Sequence, residues 1–225
     1  MKRKFILFFS FVFLLIVPAC NQQQADNSSV LEIIDKENQL SSAMLTELCK
    51  NNQIDPLSLY KWKSHWILYS KFNDIEVLKT QIEKKYPDII LKIYDKPFYN
   101  FNRQKYCNKK PAKEWDHTIM TASLVEDTTL QNEYMEYHRT QFEKWPEVSS
   151  GFCNADFQQV LVFRNGRQLM LIISIPKGES LNKLNPKTTE NNPRVDEWNA
   201  IMSKYQEGIE DAPKGTTWVV FEPLR

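Results

Sequence analysis

Apolar residues recur along this chain with two different periods, and the switches between them mark out its elements. Val30, Ile33, Ile34, Leu40, Met44, Leu45 and Leu48 stand at helical spacing and predict a helix over 30–50, broken by Asn51 to Pro56. Trp66 to Tyr69 reads as a strand. Asn73 or Asp74 then caps a helix from Ile75 to Lys85, Pro87 stops it, and Ile89 to Tyr94 makes a second strand. Residues 95–115 are basic, aromatic and without a clear period, and read as irregular.

The second half is more regular. Thr118 to Leu124 reads as a strand, about Thr129 to Lys144 as a helix ending before Pro146, and Gln158 to Phe163 as a strand. Asn165-Gly166 predicts a hairpin turn into a returning strand over Gln168 to Ile175. A loop over 176–192 leads to a helix from Pro193 to Tyr205 and a closing strand from Thr217 to Glu222. The order β-α-β-β-α-β is that of a ferredoxin-like unit, so the expected class is α+β. On element order alone, residues 61–117 read as an α/β unit, a degenerate version of the same pattern. The two units then pair their sheets into one barrel within the chain.

Composition narrows the function. A formal net charge of +1 over 225 residues argues against a nucleic-acid surface. Neither GxGxxG nor GxxxxGK[ST] occurs, which removes the usual support for dinucleotide and P-loop chemistry. Met1 to Lys4 is basic, Phe5 to Val17 is apolar apart from Ser10, and Val17-Pro18-Ala19-Cys20 follows. This resembles a bacterial lipoprotein signal over 1–19, with Cys20 lipidated after export and 20–60 as tether and helix. The apolar run is shorter than the ~20 residues of a spanning helix. The expected location is therefore the bacterial cell envelope, anchored to a membrane by lipid. Of the other cysteines, Cys49, Cys107 and Cys153, none stands at metal-ligand spacing, and no metal is expected. One disulfide can form after export, but the spacing selects no partners.

The chemistry concentrates in Glu133 to Val148, EYMEYHRTQFEKWPEV. Tyr134 and His138 lie four residues apart in a helical stretch and so share a face. An imidazole moves protons near neutral pH, and a phenol can orient a sugar hydroxyl. EYMEYH with WPEV, then FRNGRQLM, NNPRVDEWNAIMSKYQ and TTWVVFEP, resembles the L-rhamnose mutarotase family, including its L-fucose-acting relatives, over residues 118–224. That resemblance implies a dimeric α+β barrel domain over 118–225, with a homodimer or an intrachain pseudo-dimer as its assembly. It implies a cofactor-free isomerase that interconverts the anomers of a free 6-deoxyhexose. It also assigns proton transfer to His138 and sugar contact to Tyr134 and Trp198.

Gln158, near the position of a ring-contacting tyrosine of the family, and Arg167 are further candidate contacts to the sugar. Glu147 is a candidate for positioning or proton transfer, and His117 for a second acid-base group. Trp145 and Pro146 are expected to close the helix, His65 to pack between Trp62 and Trp66, and Trp218 to fill the barrel core. The sequence departs from the family in three places. Arg139 to Lys144 make a longer spacer between His138 and Trp145, Asn199 follows Trp198 where a second tryptophan adjoins it, and glutamine stands near the tyrosine position. These departures motivate a rival reading, a non-catalytic sugar-binding lipoprotein, and a third, an envelope assembly module with a vestigial pocket.

Overall fold

The computed structural model describes residues 28–224; the signal-like segment and Cys20 lie outside them. The first run of elements is β1 (Ser29–Ile34), α1 (Ser42–Asn51), β2 (Leu59–Trp62), β3 (His65–Ser70), α2 (Ile75–Lys85) and β4 (Ile90–Tyr94). A connecting segment carries β5 (Tyr99–Asn102) and a single turn, α3 (Arg103–Tyr106). The second run is β6 (Trp115–Leu124), α4 (Thr128–Lys144), α5 (Pro146–Asn154), β7 (Gln159–Asn165), β8 (Gln168–Pro176), α6 (Leu181–Leu184), α7 (Pro193–Met202), β9 (Gln206–Glu207) and β10 (Val219–Pro223).

The fold is mixed α/β with one antiparallel sheet, ordered β4-β1-β3-β2-β10-β6-β8-β7-β5, with β9 paired to β6. Within the first run the strands lie fourth, first, third, second. The strands β10, β6, β8 and β7 repeat that order in the second run. The two runs join where Glu222 and Pro223 of β10 pair with Lys61 and Tyr60 of β2. The sheet curls until β4 meets β7 on the far side, where Asn165 Nδ2 donates to the Ile93 carbonyl at 2.8 Å.

Strand alternation sorts the side chains into three cores. Val30, Ile67, Ile119, Leu161, Ile172 and Phe221, drawn from both runs, fill the concave side. Leu31, Ile33, Trp66 and Leu68 face α1 and α2. Val160, Val162, Leu169 and Ile173 face the second run's helices.

Two expectations for the first half fail. Residues 29–34 form a strand, not the start of a helix over 30–50. A strand covered on both faces reads as a continuous apolar run, which periodicity cannot separate from a buried helix. The helix begins only after Asp35, whose carboxylate accepts from the Gln39 and Leu40 amides, and Ser41 caps it by accepting from Met44. Residues 95–115 are not wholly irregular either, because Tyr99 and Phe101 alternate inward on β5 and pair with β7. In the second half α4 matches its expected span closely, but Pro146 opens α5 where only a stop was expected. That is the position in a helix where a missing amide costs nothing. The hairpin turns on Gly166, at φ 58°, and Arg167, with Asn165 still paired to Gln168.

Candidate active site

α4 is anchored at its start by Asp127, which accepts from the Thr129 and Leu130 amides, and it packs against the sheet through Tyr134, His138 and Gln141. Both Tyr134 and His138 line a cavity of about 510 Å³ between the sheet and the helices of the second run. That volume falls within the usual range for small-molecule sites.

His138 is almost wholly buried, and its Nδ1 lies 2.9 Å from the Tyr134 carbonyl oxygen one helical turn earlier. A carbonyl only accepts, so Nδ1 carries the proton and Nε2 keeps the lone pair in the neutral ring. Burial lowers the imidazole pKa from 6.5 to about 4, against the smaller raising effect of that hydrogen bond. Near neutral pH the resting group is therefore an uncharged base.

Aromatic rings surround it. The Tyr134 ring centre is 4.2 Å from that of His138, the Tyr99 and Phe98 rings stand edge-on at 5.2 and 5.6 Å, and Trp198 at 5.3 Å. Trp145 braces Trp198 at 5.7 Å, and Arg194 lies over the Trp145 face at 3.8 Å. Burial holds the Tyr134 phenol well above its ordinary pKa, against a weaker lowering by Gln206, so it stays protonated. Its oxygen accepts from Gln206 Nε2 at 3.3 Å, while Gln206 Oε1 accepts from the Trp218 indole at 3.1 Å. Asn199 also lines the cavity. The arrangement offers apolar ring faces, a few amide and hydroxyl groups, and one neutral imidazole. It suits a small neutral molecule with both hydroxyls and an apolar face.

Tyr134, His138 and Trp198 are thus brought together, and two other candidates are not. Gln158 is buried, but its Oε1 accepts from the Ala112 amide and its Nε2 donates to the Asp156 carbonyl, so it is spent on the loop preceding β6 and on the turn between α5 and β7. Arg167 sits at the hairpin beyond the sheet, bonded to the Leu124 carbonyl, Glu126 and Glu207. Glu147 lies in the first turn of α5, 4.0 Å from Arg194, and does not line the cavity. His117 faces the concave side, 2.9 Å from Ser174 Oγ, in a separate cavity. Trp218 is not barrel core but part of the His138 cavity. His65 does more than pack, since it bonds to the buried Glu32.

Sequence reasoning missed Phe98, Tyr99 and Gln206. For Tyr99 the signal was present, because Tyr99 and Phe101 alternate along one short strand and so face the same way. It also left the disulfide open. Cys107 pairs with Cys153, tying the turn after β5 to α5, and beside it the buried Arg103 pairs with Asp156 at 2.7 Å.

Comparison with known proteins identifies the family of the second run. The model of the family described as L-rhamnose mutarotase matches residues 107–224, beginning earlier than the motifs suggested. An L-fucose mutarotase of Xanthomonas campestris pv. campestris is 27% identical over 96 residues, 42% of this chain and 74% of its own. A UPF0734 protein of Dictyostelium discoideum is 28% identical over 106 residues, 45% of this chain and 78% of its own. Among solved structures, a heme-degrading enzyme of Listeria monocytogenes aligns over 88% of this chain and 99% of its own, at 11% identity and a TM-score of 0.43.

Proposed function

The chain belongs to the L-rhamnose mutarotase family, and from that membership we propose that it interconverts the α and β anomers of a free 6-deoxyhexose such as L-rhamnose or L-fucose. The observation that carries this reading is the neutral, tautomerically fixed His138 within an aromatic-walled cavity.

In the proposed reaction Nε2 of His138 takes the proton of the anomeric hydroxyl as C1–O1 becomes a carbonyl and C1–O5 breaks. The imidazolium returns that proton to O5. With its low pKa it is a strong acid and gives the proton up readily. Rotation about C1–C2 exposes the other face of the aldehyde. O5 then attacks C1, its proton passes to Nε2, and from there it reaches O1. Atoms and charge balance without a cofactor. Trp198 packs on the apolar side of the ring, and the Tyr134 hydroxyl and Gln206 hold sugar hydroxyls. Aromatic walls exclude bulk water, which strengthens these polar contacts.

We further propose that residues 29–94 stand in for the second subunit of a ferredoxin-like dimeric barrel. The repeated strand order and the shared concave core support this, as does the β2–β10 junction. The corresponding helix-facing side of the first run is packed with leucine, isoleucine and tryptophan, so a single catalytic cavity per chain is expected. The signal-like N-terminus supports an exported protein, lipid-anchored at Cys20 in the cell envelope. Anomer exchange measured on purified protein, with His138→Ala beside it, tests the assignment. Sugar binding without acceleration would turn it to the binding-protein reading.

A further inference from the structure

A second cavity, of about 660 Å³, opens where the two runs meet. Beneath it lies a polar network with no role in the chemistry above. Glu32 of β1 is fully buried on the concave face. Its Oε1 sits 2.8 Å from His65 Nδ1, and its Oε2 accepts from the Tyr94 hydroxyl at 2.8 Å. Gln168 Nε2 of β8, in the other run, donates to Glu32 Oε1 at 3.1 Å, and Lys92 donates to Gln168 Oε1 at 2.5 Å. Burial raises the Glu32 pKa, but the His65 hydrogen bond and the Lys92 charge outweigh it and hold the group below its ordinary value, so it is a carboxylate.

A carboxylate accepting at Nδ1 fixes the histidine tautomer and leaves Nε2 as the outward nitrogen, the arrangement that orients a base. His65 is 6% exposed, lines this cavity, and its buried Nε2 has no hydrogen-bond partner. Asp211 Oδ2 stands at 3.6 Å, beyond hydrogen-bond reach. An unpartnered buried nitrogen carries a desolvation cost. A buried charge is a poor route to stability where apolar neighbours such as Ile67 and Ile172 already pack that face.

We propose that this cavity is a second binding site, for a neutral polyhydroxylated molecule that donates a hydroxyl to His65 Nε2. The rim disfavours an anion. Arg167 there is already paired with Glu126 and Glu207, and Lys36 and Lys92 stand against Glu210 and Asp211, so the lining has one more carboxylate than cations and its cations are already offset. Fixed donors and acceptors of both kinds match hydroxyls, which give and take hydrogen bonds. The site needs both runs, because Glu32 and His65 come from one and Gln168 from the other. It does not rest on the His138 reading. Gln168 and Leu169 are neighbours on β8, yet one faces this cavity's network and the other the helix-side core.

The test is histidine-selective nitrogen NMR of the full folded domain, titrated with L-rhamnose, L-fucose, D-galactose and myo-inositol, with anomer exchange followed in the same samples. At least one of them should shift the His65 Nε2 resonance saturably, in His138→Ala as in the unaltered protein. Asp211→Trp, which fills the mouth from an exposed position, should abolish that shift and leave anomer exchange unchanged. No His65 shift with any of the four overturns the proposal. So does a shift that survives Asp211→Trp or vanishes in His138→Ala. No acceleration of anomer exchange by the unaltered protein, with its His65 shift intact, would instead count against the mutarotase reading.

Discussion

His138 Nδ1 donates to the carbonyl oxygen of Tyr134 at 2.9 Å, so the residue one turn earlier sets which nitrogen of the imidazole meets a ligand. The relation explains why a tyrosine and a histidine four apart matter together. The helix supplies the tautomer lock through its backbone, and the Tyr134 side chain supplies a wall and a hydroxyl. Any helix former at position 134 would preserve the lock, whereas only a phenol preserves both the wall and the hydroxyl.

Burial of His138 ties stability to pH. Its folded pKa, about 4, lies below the ordinary 6.5, so between those values the unfolded chain binds more protons. The contribution is intact above about 6.5 and is lost as pH falls toward 4. Urea unfolding should show roughly 2 kcal/mol less stability from this group at pH 5 than at pH 7.5. In His138→Phe that part of the pH dependence should disappear. An unchanged slope in the variant would show that other groups carry it.

Trp198 should act on substrate affinity more than on turnover. Trp198→Phe keeps an aromatic ring against His138 but loses stacking area, about 1 kcal/mol, or roughly five- to tenfold in KM. Steady-state kinetics should find kcat little changed. A fall in kcat with KM unaffected would mean that Trp198 positions His138 and does not hold the sugar.

Gly151 is where α5 meets the turn at 185–188. A Cβ there would lie 2.5 Å from the Thr188 carbonyl oxygen, and backbone yields less readily than a side chain. Gly151→Ala should cost about 1–3 kcal/mol by thermal unfolding. Exchange activity should drop with it, because Thr188 lines the His138 cavity.

The Cys107–Cys153 bridge closes a 46-residue separation, and its loss should remove about 2–5 kcal/mol. Cys107→Ser with Cys153→Ser should unfold earlier in urea by that margin, and reductant should leave the variant unaffected. Cys49, on the buried face of α1 with its thiol pushed up to about 11, should resist alkylation in the folded state of both.

The second half of the fold was legible because its elements carry strong local signals. Asp127 caps α4, Gly166 turns the hairpin, and Pro193 opens α7 with Trp198 on its inner face. The first strand was not, because Val30 to Ile34 has no polar alternation, and its one charged residue, Glu32, is buried in a network built from distant residues. At the candidate site, the helical pair Tyr134 and His138 could be read from spacing. Gln158 and Arg167 could not be placed, since their partners, Ala112, Asp156, Glu126 and Glu207, are brought to them only by the folded chain. The spacer from Arg139 to Lys144 simply continues α4, leaving Trp145 at the junction with α5, against Trp198.

The most direct test of the central claim is saturation-transfer NMR of anomer exchange on residues 21–225, with L-rhamnose and L-fucose as substrates and His138→Ala in parallel. The proposed mechanism predicts faster exchange for at least one of them, reduced by about 10²–10⁴-fold in the variant while its fold is retained. Exchange that is accelerated equally by both proteins, or by neither, would contradict His138 as the proton-transfer group.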